Sequence, residues 1–138
     1  MANLPSFDSP RLTALGLLFM RVFAAVLLLV VHGMPKLLNW SAELQRIEDP
    51  LGLGATLTLS LAVFAEVLCP VLLALGVFAR LACLPVIAVL VVSLGLVHPD
   101  WTLEQGQFAW LLLALYGGLA LTGPGAWSLE GMLARKAG

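Results

Sequence analysis

The chain has 138 residues, of which 61% are hydrophobic and 11% charged, and its mean hydropathy is +1.02. A water-soluble domain of that size needs a polar shell, so this composition excludes an ordinary soluble fold and makes lipid the outer solvent. A formal net charge of −1 gives no electrostatic case for a nucleic-acid partner.

Residues 1–11 are polar and carry Pro5 and Pro10. A cleaved leader would show a basic end, a short apolar core and a small-residue cleavage site. The apolar run here is long and contains Arg21, which predicts a retained first helix. A bilayer core of about 30 Å needs about 20 mostly apolar residues per helix. The first such run covers about 12–32 and stops at Gly33, with Pro35 just beyond. A short interfacial helix is expected over 39–46, where Trp40, Leu44 and Ile47 repeat at helical spacing and Ser41 is a candidate N-cap. The second run covers about 54–78, and Arg80 falls in a very short turn. The third covers about 81–97, closed by His98-Pro99-Asp100, and the fourth about 108–122, ended by Gly123-Pro124-Gly125. A surface helix over about 127–135 turns Trp127, Met132 and Leu133 toward lipid.

These runs predict an all-α integral membrane four-helix bundle, a single domain over 1–138. Helices are required because lipid offers free backbone groups no partners, and the period-two alternation of a β-barrel is missing. Arg11, Arg80, Arg135 and Lys136 fall at one set of span ends, and Lys36 and Arg46 at the other. Four against two places both termini on the cytoplasmic side.

An ionisable residue inside a membrane is a functional hypothesis from the outset. Arg21 lies near the middle of the first run and Glu66 near the middle of the second, so antiparallel neighbours would bring them to similar depth as an ion pair. Pro70 lacks the N–H that would bond the Glu66 carbonyl. This coincidence reads as a proton or cation relay, or as a helix-locking pair beside a proline kink, with the locking role weighing slightly more. At the opposite end His32, Lys36, His98 and Gln107, with Glu104 nearby, are the candidates for one outward-facing pocket. Such a set suits an anion, a quinone carbonyl or a metal, against the alternative of polar side chains reaching to water. Two histidines without HxxxH spacing make a poor metal signal, so no metal site is predicted. Cys69 and Cys83 are not spaced as CxxC and read as buried small hydrophobes, their redox role left open.

The residues in order also resemble the DoxX family of small membrane proteins, from about 15 to 133. The resemblance rests on Arg21 followed by His32-Gly33-Met34-Pro35-Lys36-Leu37, then Asp49-Pro50-Leu51-Gly52-Leu53-Gly54, Ala65-Glu66 and Leu75-Gly76-Val77-Phe78-Ala79-Arg80. It continues through His98 to Gly123-Pro124-Gly125-Ala126-Trp127-Ser128-Leu129-Glu130. The family's usual glutamate at the start of the fourth run is Gln107 here, its usual arginine is Ala126, and its aspartate is Glu130. Relatives include a subunit of a thiosulfate:quinone oxidoreductase and components of membrane complexes in oxidative-stress or thiol defence. The resemblance therefore implies a bacterial inner-membrane component of a quinone- or thiol/sulfur-linked redox system, oxidoreductase-associated, with quinone the candidate cofactor and redox-complex subunits or further copies of the chain as partners. Two other classes remain in view: a small-molecule or ion carrier built from an oligomer, and a non-catalytic scaffold subunit.

Overall fold

A computed structural model describes residues 9–138, and the predicted polar segment at 1–8, with Pro5, lies outside the described residues. Among the described residues, six helical elements follow one another: α1 (Pro10–Leu38), α2 (Trp40–Leu44), α3 (Ala55–Leu75), α4 (Ala79–Val97), α5 (Leu103–Thr122) and α6 (Leu129–Ala137). Three of them, α1, α3 and α4, are long and apolar enough to cross a membrane, with 29, 21 and 19 residues. Their outward side chains, such as Phe19, Val30, Leu61 and Leu84, are large, apolar and exposed, as a lipid-facing surface requires.

The span count of four is thereby corrected to three. The 15-residue apolar stretch predicted over 108–122 corresponds to only about 22 Å of helix, and the turns that extend it to Leu103 carry Glu104, Gln105 and Gln107. The two-sided assignment that put both termini in the cytoplasm needs an even number of crossings and falls with that count. The chain is an all-α, multi-pass membrane protein.

Helix α1 does not stop at Gly33. It contains a π-turn, Leu29–Gly33, after which Met34–Leu38 continues as α-helix. Two more π-turns occur, Phe64–Leu68 in α3 and Ser93–Val97 in α4. Each is followed by one residue and then a proline: Pro35, Pro70 and Pro99. The reason is local. A proline cannot donate to the carbonyl four residues back, and it restricts the residue before it, so the preceding N–H reaches five back instead. Met34 donates to Leu29, Cys69 to Phe64 and His98 to Ser93.

Helices α1 and α3 pack antiparallel. A side-chain carbon on Gly33 would collide with the Glu66 carbonyl, and one on Gly76 with Ser128 and the Arg21 guanidinium. These two approaches set the register: position 33 lies level with 66, and position 21 with 76. Gly76 ends α3 at φ 71° in a Schellman cap, with Val77 N–H on Leu72 O at 2.9 Å and Gly76 N–H on Leu73 O at 3.0 Å. Phe78 follows at φ 47°, a strained value for a side-chain-bearing residue, and Arg80 lies in the first turn of α4 rather than in the connection. Helix α5 runs back along α4 and α1, and Tyr116, fully buried, donates to Ala24 O at 3.0 Å. Cys69 and Cys83 are free thiols within this same core, beside Leu73, Val86 and Leu119. Ser41 lies inside α2, and Asn39 holds the N-cap position, its amide donating instead to Pro35 O.

Candidate functional site

The register decides which charges meet. Ten residues separate the level of Glu66 from that of Gly76, about 15 Å along the helix, and Arg21 belongs to the Gly76 level. The expected Arg21–Glu66 pair is therefore not formed. Arg21, 2% exposed, donates one guanidinium nitrogen to Pro124 O and another to Trp127 O at 2.9 Å. It holds the 123–128 connection, which Arg80 flanks on the other side at Gly123. Ser128 then caps α6 by accepting from Gly131 N–H at 3.0 Å, and Glu130 N–H donates to Gly76 O at 3.2 Å.

Glu66 pairs with Lys36 through Oε2 and Nζ. The Glu66 side chain is 6% exposed and that of Lys36 22%. The proline-tipped π-turn carries α1 on past Pro35, and this continuation is what brings Lys36 over Glu66. A helix ending at Gly33 would have left it in a loop. The Glu66 carbonyl, stripped of its partner by Pro70, lies against the backbone of Gly33. Only glycine permits that approach.

The pair lies in the wall of a cavity of about 730 Å³, within the range of small-molecule sites. His32, Lys36, Glu66 and His98 all line it, among apolar neighbours including Leu28, Phe64, Val86 and Leu112. His32 stacks on Phe108 of α5 with ring centroids 5.7 Å apart, and His98 lies parallel to Trp101 at 3.8 Å and 3°. All three π-turns border this cavity, each holding or directly preceding one of its polar residues. Gln107 is not among the lining residues. It faces outward beside Glu104 and Trp110, whereas Gln105 lines the cavity. Two positions turn a side chain about 200° round a helix, enough to exchange inside for outside. Gln105 also closes a capping box with Thr102 at the start of α5.

The turn 49–54 also borders the cavity. Asp49 accepts from Thr58 Oγ1 at 2.7 Å, Gly54 N–H at 2.7 Å and Leu53 N–H at 2.9 Å. The Thr58 hydroxyl first, then the Gly54 amide, hold its carboxyl below the usual carboxylate range. Both glycines of the turn have left-handed φ, 67° at Gly52 and 91° at Gly54. Sequence reasoning quoted this segment without giving Asp49 a role. An aspartate ahead of two glycines and a helix start is the signal that could have found the turn.

The site can thus offer a ligand two imidazoles and an ammonium as donors, a carboxylate as acceptor, and apolar walls for a ring. Residues 11–99, which supply every polar residue of the cavity except those of α5 and Trp101, match the DoxX family. No curated protein and no solved structure matches the chain.

Proposed function

We propose, from the premise that this chain belongs to the DoxX family, that it serves a bacterial inner-membrane redox system by holding a quinone-type headgroup in the cavity beside Lys36 and Glu66. The observation that carries the reading is the convergence of His32, Lys36, Glu66 and His98 on one cavity whose wall is mostly apolar. A quinone ring needs flat apolar contact on its faces and donors at its carbonyls. Leu28, Phe64 and Leu112 suit the first need, and His32, His98 and Lys36 the second. The stacked His98 and Trp101 rings add an aromatic shelf at one side. Electron exchange then falls to a partner subunit, and the chain acts as the membrane-side binding component. The reading treats 1–138 as one unit, since Arg21 within the matched segment holds Pro124 and Trp127 beyond it.

The test is binding of decylubiquinone to the protein in nanodiscs, followed by quenching of Trp101 fluorescence against a Trp101→Phe control. Saturable quenching weakened at least tenfold by His32→Ala supports the reading. Quenching that never saturates, or that is indifferent to His32 and Lys36, overturns it. One observation favours a second reading, a carrier: interrupted helices beside buried polar groups are a usual substrate-path geometry. Solute uptake in proteoliposomes that is lost in Glu66→Gln would select it.

A further inference from the structure

The cavity has two different boundaries. Toward the 49–54 turn it is roofed by Asp49, Pro50 and Leu51, and that roof is fastened by the three hydrogen bonds to Asp49. Toward the side it is bounded by α3 and α4, and these two helices part company there. They pack together from the Gly76 turn up to the π-turn Phe64–Leu68. Beyond that level Ala55–Val63 packs on α2 and the end of α1 and only sparsely on α4. Leu61, Phe64 and Ala88 consequently line the cavity and are exposed on the outer face of the protein. No charged side chain belongs to this flank. Lys36, Glu66 and His32 lie elsewhere in the wall, Lys36 and Glu66 joined as an ion pair.

We propose that this gap between α3 and α4 is a lateral portal, and that the cavity takes ligands dissolved in the bilayer: amphiphiles with a hydrogen-bond-accepting head and an apolar tail. The head lies at His32, Lys36 and Glu66, and the tail leaves between Phe64 and Ala88 into lipid. The inference rests on the cavity being a binding site, as proposed above, and adds the route and the class of ligand. A small hydrophilic thiol or sulfur anion has no reason to cross this apolar flank, because leaving water there costs it its hydration with no polar partner in return.

The experiment compares two probes on the protein in nanodiscs, decylubiquinone and the tail-less 2,3-dimethoxy-5-methyl-1,4-benzoquinone, in wild type, Ala88→Phe and Val92→Phe, Val92 lining the cavity one turn beyond Ala88 on α4. Ala88 is exposed, so a larger side chain can be accommodated without disturbing the core, and an unchanged melting curve verifies it. The portal requires that both variants slow association of the decyl probe at least tenfold and leave the tail-less probe within twofold of wild type. Unchanged association of the decyl probe overturns the portal while the binding site stands. Equal slowing of both probes also overturns it, since the variants would then be filling the cavity rather than the gap. Failure of decylubiquinone to bind wild type removes the binding site itself, a result distinct from the other two.

Discussion

Glu66 and Lys36 share an ion pair but not an environment. The Lys36 side chain is partly exposed, whereas that of Glu66 is almost wholly buried. Removing one partner of a buried pair typically costs about 3–5 kcal/mol, because the other charge is left uncompensated. The cost here is expected to be lopsided. Lys36→Met strands the inaccessible carboxylate and should lower stability by about 3 kcal/mol, while Glu66→Gln strands a lysine that can turn to water and should cost less. Replacing both by apolar residues of similar size should recover most of the loss. Thermal unfolding of the four proteins in one detergent checks the order, and equal losses for the two single variants would contradict it. Gly33 gives an independent test of the same contact. Gly33→Ala drives a methyl group into the Glu66 carbonyl and should cost about 1–3 kcal/mol, the usual range for overpacking. The identical change at Gly16, with open space around it, should be close to neutral or slightly stabilising.

At the scale of elements, two connections carry predictions. The 123–128 segment is fastened by a fork, one guanidinium reaching two carbonyls of different residues. Arg21→Lys preserves the charge but presents no planar fork, so it should free α6 as readily as Arg21→Met does. Hydrogen exchange at Glu130 and Gly131 amides is the readout, and protection retained in the lysine variant would show that charge alone suffices. Ser128→Ala removes the cap of α6 and should cost about 0.5–2 kcal/mol. The 49–54 turn responds to acid. The carboxyl of Asp49 is held below its ordinary value, so its contribution is fully present above the unfolded value, about pH 4, and is lost as pH falls through the lower folded one. Asp49→Asn should flatten that part of the pH–stability curve, and a curve as steep as that of wild type between pH 5 and 3 would remove Asp49 from the account.

For the molecule as a whole, lipid replaces water on most of the surface, and the core is a narrow column between α1, α3, α4 and α5. Cys69 and Cys83 lie in that column at 1% and 0% exposure, so a membrane-permeant maleimide should label neither until the fold is opened with dodecyl sulfate. Labelling of the native protein would place them elsewhere. Membrane class, helical content and the order of the elements were legible because long apolar runs and Gly-Pro stops are local signals. Depth was not. Arg21 and Glu66 each look central within their own runs, but α1 runs six residues beyond the 12–32 limit read for it and α3 ends at Leu75, three residues early, and their levels differ by nearly three turns. Gln107 was read as a pocket residue because it opens the fourth apolar run on the same side as His32 and His98, whereas the phase of α5 depends on the capping box at Thr102. The polarity of the first turns of α5 was readable all along, and the count of four weighed its apolar half alone.

The proline-tipped π-turns have a bearing on how such a chain can change length. A π-turn holds one residue more than the α-turn it replaces, so it is an insertion already absorbed within a helix. Deleting a single residue from 29–33, 64–68 or 93–97 can restore an ordinary turn without shifting the flanking faces, something that a deletion elsewhere in a lipid-facing helix cannot do. Gains and losses of one residue among homologous chains are therefore expected just ahead of the prolines at 35, 70 and 99, inside or bordering the apolar helices and around the cavity, and not in the surface connections where length usually varies.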